Sequence, residues 1–484
     1  MYTCVNNVHH LEVISMHIST LDNFFDPSSV AVIGASNSTF NLGATICNTL
    51  KSSEKLKDRI YAVNKKAEDV NGCPGFASIL DIPADIDLAI IIVAAKAVPG
   101  IVREIAEKGT RNIIIESAGF SEEGEDGARM QSDINETVRK HGIRVMGPNC
   151  LGVLNAQNRF CCFYGAQEHT FDLVYQRPGT VSYVIQSGGV GVLILESFAT
   201  DIVSVNKMVS IGNKTDVDEA DLIEYFKTDS TEVIGMFLEN IQHGRRLIEA
   251  ARNCGKPILI YKSGRTSEGA RAAMSHTAGM ANNDRVFDAA CRQSGIIRLR
   301  SIAELHSMPK MFTSMPLLKG KNIVVITNSG AFGGIVADLL HEAGLSMARL
   351  KPETMDKLSK TGKLFNVSNP VDLGPAISPQ AFHDIYEILL QADEVDGLLP
   401  IPSVWKDFII NTIEDLNQMC RTYNKPSATY TPNALWKTLN IRSTHKLPIF
   451  ESPEEAVRAL EISHFHYSSA RKKDKSASYE TISR

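Results

Sequence analysis

The nine cysteines (Cys4, Cys47, Cys73, Cys150, Cys161, Cys162, Cys254, Cys291 and Cys420) include no Cys-x-x-Cys pair. Their scatter fits neither a disulfide frame nor a zinc site, so they read as reduced thiols, mostly structural. Long hydrophobic runs are also lacking. Leu88 to Ala95 is the longest, well short of the roughly 20 residues that span a bilayer. Met1 to Asp22 lacks the basic-then-apolar order of a signal peptide, and the expectation is a cytoplasmic protein with no membrane partner. Charge of one sign is missing too: 50 Lys+Arg against 55 Asp+Glu give a net charge of −5. With no long basic face, nucleic acid is excluded as principal partner. Gly 33 and Pro 19 are too few for a fibrous or low-complexity chain, and 43% apolar with 22% charged residues excludes disorder for most of it.

What is present is length and rhythm. At roughly 150 residues per domain, 484 residues predict about three domains. A polar leader (1–20) precedes short β-branched runs alternating with helical patterns: Val30–Ile33, Ile60–Val63, Leu88–Val93, Ile113–Ile115 and Ile143–Met146. A loop-like stretch, Asn155 to Pro178, separates these from a second series near Val181–Ile185, Val203–Val209, Val233–Leu238 and Pro257–Tyr261. After a linker around Met308–Lys321 comes a third, at Ile323–Thr327, Gly397–Ile401, Ser427–Tyr430 and Leu447–Phe450. This alternation predicts parallel sheets with crossover helices. The expected domains are 21–155, 178–300 and 320–462, with a solvated tail over 468–484.

Each series opens with a strand running into a Gly-rich turn and a helix: Ile33-Gly-Ala-Ser36 leading to Gly43, Gln186-Ser-Gly-Gly-Val-Gly191, and Thr327-Asn-Ser-Gly-Ala-Phe-Gly-Gly334. Such turns expose backbone N–H groups at a positive helix terminus. Any single tight strand-to-helix turn needs glycine for steric reasons alone. Three of them favour a protein that handles anions.

The first turn is not a G-x-G-x-x-G, and the next strand ends in Ala62-Val-Asn-Lys-Lys66 instead of an acid that would hold a ribose. A nicotinamide dehydrogenase is therefore weakly supported. The two lysines suit a phosphorylated ligand such as coenzyme A, or are simply a surface pair. Met274-Ser-His-Thr-Ala-Gly-Met280 places a histidine among small residues before the helical pattern Asp284–Ser294, as on a mobile loop. Imidazole can carry a phosphoryl group when a carboxylate fixes its other nitrogen, and Glu239, after the apolar run Gly235–Leu238, is a candidate. On spacing alone, His276 is more often a solvated loop residue and Glu239 a solvated strand end.

The ordered set Gly147-Pro-Asn-Cys-Leu-Gly152, Ser210-Ile-Gly-Asn-Lys-Thr-Asp-Val-Asp218, Lys262-Ser-Gly-Arg265, Ser275-His-Thr277 and Asn369-Pro-Val-Asp-Leu373 resembles the nucleoside-diphosphate-forming acyl-CoA synthetases. These are relatives of succinyl-CoA synthetase, and the nearest likeness is to the alpha subunit of ADP-forming acetate–CoA ligases, over about Leu21 to Leu460. The resemblance implies a Rossmann-like CoA-binding domain followed by two flavodoxin-like ligase domains. It also implies an ATP-grasp nucleotide-binding module outside this sequence, on a beta subunit in an α2β2-like assembly, where ATP/ADP would bind with Mg2+; no metal is expected here.

By that resemblance, acid, CoA and ATP interconvert with acyl-CoA, ADP and phosphate through an acyl phosphate and a phosphohistidine at His276, with Glu239 as its carboxylate partner. The substrate would be a small carboxylic acid, acetate by default. Ser187, Gly188 and Gly189, and Ser329, Gly330 and Ala331, match the family's two phosphate-cradling helix starts. Gly34, Ala35, Ser36, Asn64, Lys66, Val93, Ala94, Ala95, Ser117, Ala118, Gly119, Asn149 and Cys150 match its CoA contacts, Cys150 packing rather than reacting. Departures from the family are Ala278 and Asn282, where it shows Gly, and Lys65, where it shows Pro. They motivate the alternative of a non-catalytic CoA- or acyl-CoA-binding regulatory protein.

Overall fold

The structure, a computed structural model, describes residues 21–484 except 166–167, 198–201, 272–282, 363, 375–377, 405–406 and 483–484. Of 168–169 and 472–482 it describes the backbone alone. The leader and the segment holding His276, Ala278 and Asn282 thus lie outside the described residues. The chain divides into two units, one holding residues up to 196 with 204–294 and 298–300, the other mainly 301–484.

In the first unit, six parallel strands form one sheet: β1 (Val30–Ile33), β2 (Ile60–Val63), β3 (Gly75–Phe76), β4 (Leu88–Ile91), β5 (Asn112–Ile115) and β6 (Arg144–Met146). Their order is β3-β2-β1-β4-β5-β6. The chain leaves β1 for β2 on one side and returns for β4 on the other, so the carboxyl ends of β1 and β4 flank a crevice at the switch point. Helices α1 (Leu42–Leu50) and α2 (Val98–Lys108) are among its crossovers. Val102 and Ile105 of α2 and Ile134 and Val138 of the helix Glu125–His141 pack over Ala31, Ile33, Ile91 and Ile115. A strand buried on both faces has no polar side, which is why β4 and β5 read as continuous apolar runs.

The second sheet contains β7 (Val153–Asn155), β8 (Phe160–Cys161), β9 (Val181–Ile185), β10 (Val205–Ser210), β11 (Val233–Leu238), β12 (Ile258–Lys262) and β13 (Ile297–Arg298), ordered β13-β12-β11-β9-β10-β7-β8. Here the structure departs from expectation: 155–178 is not a loop. β7 pairs antiparallel with β10 and with β8, and the helix Glu168–Gln176 follows. The antiparallel edge explains the misreading, since two short strands joined by the turn Asn155-Ala-Gln-Asn158 carry too little periodicity to announce a sheet. Helix α3 (Gly188–Ser197) follows β9, and α4 (Glu219–Thr228) follows β10.

In the second unit β14 (Asn322–Thr327) pairs in parallel with β15 (Ser346–Met347), β16 (Val371–Asp372) and β17 (Gly397–Ile401), while β18 (Thr429–Tyr430) pairs with β19 (Ile449–Phe450). Helix α5 (Gly330–Glu342) follows β14. The stretch 468–484, expected as a solvated tail, continues α6 (Pro453–Ile482) as helix up to Ile482. Nothing in Ser468–Ile482 breaks a helix: it holds neither Gly nor Pro.

Candidate functional site

At the switch point of the first sheet lies a cavity of about 740 Å³. Gly34 opens it. Its φ is +105°, its N–H donates to the Val63 carbonyl at 2.9 Å, and a Cβ there would lie 2.2 Å from the Ile92 oxygen. Only glycine fits this turn. Asn41, which the sequence reading passed over, organises both turn and helix. It caps α1, its Oδ1 accepts from Ala44 N at 2.8 Å and Ser36 N at 3.1 Å, and its Nδ2 donates to Gly34 O at 3.1 Å. Asn is a favoured helix cap, which was the available signal.

Of the expected coenzyme residues, Gly34, Ser36, Asn64, Lys66, Val93 and Ala94 line this cavity, joined by Lys65. Ala35 is fully buried beneath the turn. The side chain of Asn64 is occupied with its own loop, taking N–H groups of Lys66 (3.2 Å) and Glu68 (3.1 Å) and donating to Glu68 O. Lys66 is exposed and lies 3.7 Å from Glu68. Ala95, Ser117, Ala118, Gly119, Asn149 and Cys150 are outside the lining set. Ser117 instead bridges strand ends, its Oγ accepting from Val93 N at 3.0 Å, and Ala95 packs near Gly119.

The Gly147–Gly152 turn is clamped to the second sheet. Asn213 N donates to Pro148 O at 2.9 Å, Thr215 N to Gly147 O at 3.0 Å, and the Asp216 carboxylate takes both Arg144 Nε (2.8 Å) and Val145 N (2.9 Å). Asn213 Nδ2 also reaches Glu122 at 2.6 Å. This is the physical content of the 210–218 motif: it fastens one sheet's loops to the other's. Cys150 is buried, hydrogen-bonded to Ile115 O at 3.3 Å, and burial pushes its thiol far up, so it packs. Beside it, Glu116 is buried with neither carboxyl oxygen hydrogen-bonded to any of the described residues, and desolvation raises its pKa well above the ordinary carboxylate value.

At the carboxyl edge of the second sheet β11 runs parallel to β9 with Phe237 opposite Ile185. Past these strand ends, Glu239 follows β11, while Gln186 and Ser187 lead from β9 into α3. Gln186 fixes this pairing, its Oε1 accepting Glu239 N at 2.8 Å and Asn240 N at 3.2 Å. Gly188 is needed where the turn meets Leu151, whose side chain a Cβ would approach to 2.6 Å, while Gly189 faces open space. Two buried ammonium groups serve the same edge. Lys214 Nζ binds Glu219 at 3.1 Å and Asn240 O at 2.7 Å, and Lys262, its pKa lowered by burial, donates to Ser263 O. A helix start with exposed N–H groups stabilises an anion. His276 lies outside the described residues.

In the second unit, Ser329 N donates to Thr327 Oγ1 at 3.0 Å at the start of α5. Asp372 stands close by, its Oδ2 3.6 Å from where a Gly330 Cβ would lie. Asn369 fills a gap between strands, taking Val325 N at 3.0 Å and donating to Ile323 O and Ala348 O. Among the described residues no group of three or more His, Cys, Asp or Glu is placed to hold a metal ion, and no helix is long and apolar enough to cross a membrane.

A doubly wound sheet with a crevice at its switch point, coupled to a second, mostly parallel sheet whose edge carries a helix start, defines an α/β protein of the class that binds anionic, nucleotide-type ligands. Comparison narrows this. Residues 28–156 match a CoA binding domain and residues 178–312 a succinyl-CoA ligase like flavodoxin domain. The alpha subunit of acetate–CoA ligase [ADP-forming] II from Pyrococcus furiosus is 33% identical over 453 residues, covering 91% of this chain and 96% of that one. Acetate–CoA ligase [ADP-forming] II of Archaeoglobus fulgidus is 36% identical over 92% of this chain, which spans 66% of that longer protein. The solved dinucleotide forming acetyl-coenzyme A synthetase 1 of Ca. Korarchaeum cryptofilum, in complex with phosphate and ADP, superposes with a TM-score of 0.85 at 26% identity, over 94% of this chain and 98% of that one. The chain belongs to the family of ADP-forming acetate–CoA ligases.

Proposed function

We propose that the chain acts as the alpha part of an ADP-forming acyl-CoA synthetase, acting on coenzyme A, phosphate and a small carboxylic acid, with acetate the first to test. Phosphate attacks the thioester carbonyl of acyl-CoA, and CoA leaves as the thiolate. The imidazole of His276 then attacks phosphorus of the acyl phosphate and the carboxylate departs. ADP, with Mg2+, accepts the phosphoryl group on an ATP-grasp beta part in an α2β2-like assembly, and the steps run in reverse for synthesis. Gly34–Ser36 and Lys66 hold CoA, while Ser187–Gly189 and Ser329–Ala331 are two helix starts that cradle phosphoryl groups. Glu239 orients the imidazole and leaves its other nitrogen free to attack.

The observation that supports this reading most is the Glu239 N–H held by Gln186 Oε1 at 2.8 Å, which ties the carboxylate candidate to the turn opening a helix start at the ends of neighbouring parallel strands. The test incubates the purified chain with acetyl-CoA and labelled phosphate, beside His276→Asn. Acid-labile, base-stable label on the wild type alone is the expected result. CoA binding without label in the wild type, even with the beta part added, would favour the regulatory alternative.

A further inference from the structure

The crevice of the first sheet is lined by two kinds of surface: the N–H groups and polar side chains of the Gly34–Ser38 turn, and the apolar wall of Ile79, Ala97 and Ile101. Two carboxylates line it as well: Glu68, 3.7 Å from the Lys66 ammonium, and Glu104 of α2. Its Oε2 accepts the hydroxyl proton of Ser78 at 2.6 Å. That hydroxyl has no freedom to turn away, because its oxygen accepts Leu80 N at 3.1 Å in the capped turn Ile79–Asp81. Oε1 takes no hydrogen bond and no ion pair from the described residues.

A carboxylate lining a crevice for a polyanion is repulsive unless it faces a donor. In a doubly wound sheet the phosphates meet the turn after β1 and the ribose lies at the end of β2, where Lys65 and Lys66 stand, which leaves the base for the apolar walls beyond. Adenine presents one strong donor, its exocyclic amino group. Resting on the coenzyme A reading above, we infer that Glu104 is a specificity residue that reads the adenine of coenzyme A, accepting the amino group through Oε1 while Ser78 holds Oε2.

The experiment titrates the full chain with coenzyme A and with its hypoxanthine analogue, in which a carbonyl oxygen replaces the amino group. The wild type should bind coenzyme A at least about tenfold more tightly, since the analogue turns an acceptor toward a carboxylate. In Glu104→Gln the Ser78 hydroxyl keeps the side-chain oxygen and the NH2 faces the base, where it suits the carbonyl and opposes the amino group, so the ratio should fall to one or below. A merely structural role, through the Ser78 contact, would weaken both ligands equally and leave the ratio unchanged. Equal binding of both ligands by the wild type, or a Glu104→Gln ratio equal to the wild type's, overturns the inference while the coenzyme reading stands. Failure of the wild type to bind coenzyme A at all overturns that reading and the inference with it.

Discussion

The side-chain oxygen of Gln186 accepts the main-chain N–H of Glu239 at 2.8 Å, tying the end of β9 to the end of β11 at the point where both are expected to meet phosphate. Gln186 is buried, and its Oε1 also serves Asn240 N. Gln186→Leu should cost about 2 to 4 kcal/mol, because two N–H groups lose their acceptor. The check is the urea midpoint at unchanged m-value. Gln186→Glu still offers an acceptor to both N–H groups, but it loses the Nε2 bond to Asn240 Oδ1 at 3.3 Å and buries a carboxylate, so it too should be less stable than the wild type. Assayed where it is fully folded, its negative charge beside Ser187 should slow phosphoryl transfer at least tenfold. A variant with full activity would show that this edge does not hold the phosphoryl group.

Asn41 should govern coenzyme affinity without lining the cavity. Asn41→Ala leaves Ser36 N–H and Ala44 N–H unpaired and frees the Gly34 carbonyl. Loss of a cap of this kind costs about 0.5 to 2 kcal/mol of stability. The turn loosens with it, so coenzyme A should bind several-fold more weakly by calorimetric titration. Unchanged affinity beside the expected stability loss would mean that Asn41 serves the helix alone.

Much of this was legible from periodicity. Runs such as Val30–Ile33, Val181–Ile185 and Val233–Leu238 coincide with strands because buried parallel strands must be apolar on both faces. Two-residue strands such as β15 and β16 were not, since they are defined by pairing with β14 and not by their own pattern. Of the site, the glycine turns announced themselves through steric need, as at Gly34. Gln186 and Asn213 did not, because their partners, Glu239 and Asn240 for one and Pro148 and Glu122 for the other, are distant in sequence and no local spacing records them, whereas the Asn41 cap could have been read locally. Glu116 was invisible for a similar reason: it follows the run Ile113–Ile115 and reads as a polar strand end, yet the Gly147–Gly152 turn covers it.

Glu116 should make stability depend on pH. Its folded pKa is raised, so between the ordinary carboxylate value near 4.5 and that raised value the folded state keeps a proton that the unfolded state has released. Stability therefore falls as pH rises through this window, by about 1.4 kcal/mol per pH unit at most. Glu116→Gln removes the titration at nearly constant volume. Its thermal midpoint should equal the wild type's near pH 4.5 and exceed it increasingly toward neutral pH. A constant difference across that range would mean that Glu116 has a partner in solution.

Lys214 and Glu219 form an ion pair with 0% and 2% of their side chains exposed, 3.1 Å apart. Burial raises the Glu219 pKa, and Lys214 opposes that rise. Lys214→Met should cost about 3 to 5 kcal/mol near neutral pH by leaving a buried charge uncompensated. The cost should shrink as pH falls toward 4.5, because protonating Glu219 removes the charge. Adding Glu219→Leu should restore most of the stability, since a buried pair replaced by apolar side chains of similar size is often neutral. Activity should not return with it. Lys214 Nζ also holds the Asn240 carbonyl at 2.7 Å, one residue from Glu239, and Met makes no such bond. A stable double variant with impaired phosphoryl transfer would place Lys214 among the groups that position Glu239. Recovery of both stability and rate would leave the pair a structural element only.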